Sequence, residues 1–229
     1  MTILFDFDGV ILNSRENMRR SWASVQQVCG VTAPFEAYFE HIGKPFQTIL
    51  STLEIEGDRA LVERTYFTAS SANAASLKLF PGVRDILLAL AALKTPIGIL
   101  TSKDPVRTRQ FVDQFSLPFS DLYCPTPYLR GKPEPDLFRL ASTEWGCSAG
   151  DITYVGDMAV DEQAARGFGA RYIHVDWGYG TPLTEFAQRV SSPEVLLDLL
   201  VRRHAPALAP YLARPTISFA AHHDAMAAR

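Results

Sequence analysis

Asp6 and Asp8 flank Phe7 at the end of the apolar run ILFDF (residues 3–7). A strand buried on both faces should be apolar, so two carboxylates there call for a chemical reason. Comparable residues close later apolar runs. Thr101 and Ser102 end PIGILTS (96–102), Asp157 ends DITYVGD (151–157), and Asp161 follows four residues on. Lys132 stands in the loop RGKPEP. Taken singly, each has a structural reading: Asp can cap the next helix, Thr suits strands, and Lys on a loop is usually solvated. Taken together they are harder to explain, because clustered carboxylates repel and raise one another's pKa unless a cation intervenes. Hard oxygen donors of this kind suit Mg2+. A divalent cation with a lysine and a threonine makes a site for an anion, and phosphate is the natural candidate.

These residues can meet only if their strands lie side by side. The runs 3–7, 96–102, 122–124, 151–157 and 170–176 are short, apolar and without strict alternation, as in a parallel sheet covered on both faces. Helical patterns separate them. Val83, Ile86, Leu87, Leu90 and Leu93 recur at helical spacing within 81–94. Segment 104–115 opens on Asp104 as N-cap with Pro105 next, and segments 134–146 and 159–169 end on glycine. A further helix is expected over 194–204. Strand alternating with helix predicts an α/β fold with a doubly wound parallel sheet, in which ligands bind beyond the carboxyl ends of the strands.

Residues 14–80 break this rhythm, being far longer than one crossover helix requires. Met18, Trp22, Val25 and Cys29 mark one helix, stopped by Gly30. Phe35/Phe39/Ile42, Phe46/Ile49/Leu50/Leu53 and a run from Asp58 to about Leu77 mark three more. The expectation is a catalytic core of residues 1–13 and 81–204, a helical domain of 14–80 inserted after the first strand, and an irregular tail over 205–229. The linkers near 13–15 and 79–82, with Pro81 and Gly82, would let the insert open for a ligand and close to exclude water.

Composition narrows the partners. Of 229 residues 47% are hydrophobic and 21% charged, and the formal net charge is −3, so nothing favours nucleic acid or an anionic membrane. No apolar run approaches the length of a membrane span, and MTILFDF has no basic stretch like that of a secretory signal. Cys29, Cys124 and Cys147 are odd in number, widely spaced and without a C-x-x-C pair. They read as inert thiols of a cytoplasmic protein, expected as a monomer or homodimer. The adjacent His222 and His223 read as a solvated tail.

In this order, DFDGV, LTSK, GKPEP and GDMAVD resemble the four motifs of the haloacid dehalogenase superfamily, and the helical insert resembles that superfamily's cap. The resemblance covers residues 1–200. It implies that Asp6 is a nucleophile forming an aspartyl phosphate and that Asp8 is a general acid and then base. It implies that Thr101 and the amide of Ser102 hold phosphoryl oxygens, and that Lys132 neutralises phosphate and nucleophile. Mg2+ would be held by Asp6, the Asp8 carbonyl and Asp157, with Asp161 acting directly or through water. The implied partner is a small phosphorylated metabolite. GKPEPDLF, GDMAVD and DWGYG (176–180) resemble phosphoglycolate phosphatases in particular. Gly43, Lys44 and Arg15 are the candidates for substrate contact from the cap side.

Two rival readings remain. β-Phosphoglucomutases resemble the chain around DGVILNS but carry a histidine where Met18 stands. A non-catalytic phosphate-binding module with the same fold would have no need of both Asp6 and Asp8.

Overall fold

The computed structural model describes residues 2–204. The expected tail and its two histidines lie outside the described residues. The core is a six-stranded parallel sheet of β1 (Thr2–Phe5), β4 (Ile97–Leu100), β5 (Asp121–Tyr123), β6 (Ile152–Gly156), β7 (Arg171–Val175) and β8 (Gln188–Val190). The spatial order is β5-β4-β1-β6-β7-β8. β1 is central: Phe5 pairs with Ile99 of β4 on one side and with Val155 of β6 on the other. Ile3 and Leu4 have no exposed surface, because helices cover both faces.

Those helices are α5 (Val83–Ala92), α6 (Pro105–Gln114), α7 (Asp136–Trp145), α8 (Ala159–Phe168) and α9 (Pro193–His204). Their ends follow the sequence signals. The Asp104 side chain accepts from the amide of Arg107, and Pro105 occupies the first turn. Gly146 and Gly169 stop α7 and α8 in the left-handed conformation. Strand β8 was not foreseen. QRV is too short and polar to make an apolar run, and it joins as an edge strand with Val190 as its buried residue.

Between β1 and β4 the chain forms α1 (Arg15–Cys29), α2 (Phe35–Phe39), α3 (Phe46–Thr52) and α4 (Arg59–Ala72). α4 ends before the expected Leu77, giving way to one 3-10 turn over Ala74–Ser76. These helices bury their own apolar cluster, in which Trp22 stacks on Tyr38 with centroids 4.5 Å apart. Where α1 meets α4, Asn17 donates to the Ser70 carbonyl and Ser70 Oγ donates to Asn17 Oδ1, so the buried polar pair is satisfied. The chain leaves and re-enters the core through two adjacent short strands, β2 (Leu12–Asn13) and β3 (Lys78–Leu79), paired antiparallel. Among the described residues no helix is long and apolar enough to cross a membrane.

Candidate active site

Because β4, β1 and β6 are neighbours, the residues just beyond their carboxyl ends share one edge of the sheet. Asp6, Thr101 and Asp157 all follow these strands and are buried. Lys132 arrives from the loop between β5 and α7, with no exposed surface at all. Its Nζ lies 2.6 Å from Asp161 Oδ1, 2.9 Å from Asp6 Oδ1 and 3.1 Å from the Tyr154 hydroxyl. Burial would lower the ammonium's pKa, but the two carboxylates more than offset this and raise it.

Asp161 is fully committed. Its Oδ2 accepts from the amides of Asp157 (3.0 Å) and Met158 (2.9 Å) at the start of α8, while Oδ1 holds Lys132. Asp157 accepts from the Tyr179 amide at 2.7 Å through Oδ2, and its buried Oδ1 has no partner. Asp6 Oδ1 meets Lys132 as an ion pair without hydrogen-bond geometry. Oxygens of Asp6, Asp157 and Asp161 all lie within 4.8 Å of one another. Buried carboxylate oxygens left over at that spacing fit a hard divalent cation, and Asp6 and Asp157 have the free ones. The packing reserves the space. A Cβ on Gly9 (φ +88°) would fall 2.2 Å from Asp157 Oδ2, and one on Gly178 would fall 2.2 Å from Asp157 Cβ.

Burial, with Asp161 and Asp8 adding like charge, pushes the Asp6 carboxyl up to about 7 despite Lys132. Burial and the same kind of crowding raise Asp157 as well. In metal-free protein below about pH 7, Asp6 holds a proton that the unfolded chain has released. The stability that Asp6 contributes is therefore full below about pH 4 and declines as pH rises to about 7. Urea midpoints in EDTA at pH 5 and pH 7 test this: wild type should lose more over that interval than Asp6→Asn, and equal losses would contradict it.

Asp8 lies apart from this cluster. Its Oδ2 pairs with Lys103 Nζ at 2.9 Å, in a position where burial lowers the lysine's pKa in spite of the carboxylate. Sequence reasoning missed Lys103, although it sits in the quoted LTSK directly after Ser102. Thr101 Oγ1 accepts from the Lys103 amide at 3.2 Å, and Ser102 Oγ is buried with no partner.

Asp6, Asp8, Thr101, Ser102, Lys103 and Lys132 line a cleft beneath the helical insert. Gly43 and Lys44, on the loop between α2 and α3, reach the same cleft. Arg15 does not. It is exposed, with its guanidinium over the Phe39 ring at 4.6 Å, because the start of α1 faces Phe39 rather than the cleft.

Tyr179 joins the two parts of the molecule. Its amide holds Asp157, and its hydroxyl accepts from the amides of Ser14 (2.6 Å) and Arg15 (3.2 Å) at the start of α1. Its ring packs on Phe39, centroids 5.2 Å apart. Since Ser14 gives no side-chain cap, Tyr179→Phe leaves these amides unpaired and should lower stability by about 1 kcal/mol. A thermal melt unchanged from wild type would contradict this.

A family model described as haloacid dehalogenase-like hydrolase matches residues 3–175. The phosphoglycolate phosphatase of Synechococcus elongatus is 34% identical over 106 residues, which span 45% of this chain and about half (49%) of that protein. The N-acetylmuramic acid 6-phosphate phosphatase of Pseudomonas aeruginosa is 24% identical over 215 residues, covering 87% of this chain and 94% of that one. A crystal structure of a hydrolase from Pseudomonas syringae superposes with a TM-score of 0.77 at 20% identity, covering 87% of this chain and 97% of that chain, which speaks to the fold alone. With the family model spanning the sheet from β1 to β7 and the insert, the chain belongs to the haloacid dehalogenase-like hydrolases.

Proposed function

We propose that the protein is a Mg2+-dependent phosphatase that cleaves a small phosphate monoester through an aspartyl phosphate on Asp6, with residues 14–80 acting as a cap. The observation that carries this reading is the division of labour between two carboxylates in one cleft. Asp6 is buried against Lys132, while Asp8 is paired separately with Lys103. A site that only bound phosphate would gain nothing from two carboxylates facing an anion.

In the first half-reaction an Asp6 oxygen forms a bond to phosphorus, the ester P–O bond breaks, and Asp8 gives its proton to the departing oxygen. In the second, Asp8 takes a proton from water as that water attacks phosphorus. The bond to Asp6 breaks, and phosphate and the free carboxylate result. Thr101 and the Ser102 amide support the phosphoryl oxygens, and Lys132 keeps the Asp6 charge neutralised throughout. When bound by Asp6, the Asp8 carbonyl and Asp157, Mg2+ supplies charge neutralisation for the transferring group. Met18 lines the cleft where the mutases have histidine and can carry no proton, which disfavours the mutase reading.

The test is hydrolysis of p-nitrophenyl phosphate with Mg2+, with EDTA and by Asp6→Asn. Release that needs Mg2+ and is lost in the variant supports the proposal. Release by well-folded Asp6→Asn at the wild-type rate refutes it.

A further inference from the structure

On its insert side the cleft forms a chamber whose chemistry differs from that of the phosphoryl end. Its roof comes from the insert: Met18, Ile42, Phe46 and Ile49 line it with apolar atoms. Tyr38 and Tyr66 also face it, their hydroxyls joined by a 2.8 Å hydrogen bond. The apolar part of this roof is a poor match for a polyol, since sugar hydroxyls against Met18, Ile42, Phe46 and Ile49 would give up water without gaining partners. A two-carbon alcohol would leave most of the roof untouched.

One charged group reaches the chamber from the core side. Arg107, in the first turn of α6, lines the cleft with its side chain 6% exposed. Its Nε donates to Asp104 Oδ2 at 2.5 Å. Its guanidinium is sandwiched against the insert, over Phe67 at 4.0 Å and Tyr66 at 5.3 Å. Nη1 is buried and has no acceptor. A buried guanidinium donor left unpaired is costly, and a planar acceptor in the chamber would relieve it. Lys44 lines the same cleft and carries a positive charge, so the chamber also favours negative charge.

We infer that Arg107 reads the leaving group, and that the substrate is a phosphate monoester whose alcohol joins an apolar body to a carboxylate. The body fills the space under Met18, Ile42, Phe46 and Ile49, and the carboxylate meets Nη1 of Arg107. This rests on the phosphatase reading above and narrows it.

Four esters separate the possibilities: ethyl phosphate, phosphoglycolate, phenyl phosphate and 4-carboxyphenyl phosphate, with glucose 6-phosphate as the polyol. Wild type should turn over 4-carboxyphenyl phosphate with the highest kcat/KM, about 30-fold above phenyl phosphate. Arg107→Met, shown to be folded by its circular dichroism, should bring that ratio down to about 3 or less, mainly through KM. Equal losses on both aryl esters would make Arg107 a clamp between cap and core and overturn the inference. A wild-type preference for glucose 6-phosphate or ethyl phosphate would overturn it without any variant. So would a preference for phosphoglycolate over 4-carboxyphenyl phosphate, which would remove the role of the apolar body. Turnover in the wrong order of preference removes only this inference. No Mg2+-dependent turnover of any ester removes the phosphatase reading and this inference with it.

Discussion

Lys132→Met is expected to lower the free energy of unfolding by about 3–5 kcal/mol at pH 7 and to eliminate turnover. The ammonium has no exposed surface and is the cation shared by Asp6 and Asp161. Methionine fills the space but leaves two buried carboxylates facing each other, and Asp161 cannot turn away because its other oxygen holds the amides of Asp157 and Met158. The loss should shrink under acid conditions, where the carboxylates can protonate. Denaturant unfolding at pH 7 and pH 5 checks both points. A loss below about 1 kcal/mol at pH 7 would mean that the ion pairs contribute no more than exposed ones do.

The second large effect is on rate. Asp6→Asn should lower kcat by at least about 10,000-fold, because an amide is a poor nucleophile and no other carboxylate can replace it. Asp8 lies in the same cleft but is turned toward Lys103, and Asp161 has both oxygens committed. The change is nearly isosteric, and it removes a carboxyl whose ionisation is disfavoured by burial, so the fold should survive it. Circular dichroism and single-turnover assays on the same preparation separate the two effects. A folded variant retaining a tenth of the wild-type rate would show that the nucleophile lies elsewhere.

Much of this arrangement is legible in the sequence because chemistry and punctuation coincide there. The apolar runs ending at Asp6, Ser102 and Asp157 are strands with polar residues where a parallel sheet places its ligands. Gly30, Asp104 and Gly146 delimit helices because left-handed termini and N-caps are local requirements. What escaped depends on distant contacts. A lysine just after a strand reads as solvated, whereas the Lys103 side chain is buried with its ammonium on Asp8 and near the Phe111 ring. Arg107 was less hidden: it lies on the face of α6 that carries Thr108, Phe111 and Val112, all buried, so helical period marked it as an inward charge. Nothing local marks Tyr179 as the cap of a helix that begins 164 residues earlier. Arg15 went the other way, for a cation at the start of the insert was free to stack on Phe39.

The proposed mechanism requires Asp6 to become phosphorylated, and Asp8→Asn offers the direct view of it. With p-nitrophenyl phosphate the leaving group needs little help from a proton, whereas the attacking water still needs a base. The variant should therefore form the aspartyl phosphate and release it slowly. Mass spectrometry of acid-quenched Asp8→Asn, after brief exposure to p-nitrophenyl phosphate and Mg2+, should show one phosphoryl group on the peptide containing Asp6. Rapid release of p-nitrophenol with no phosphoryl group on that peptide would contradict an aspartyl phosphate on Asp6.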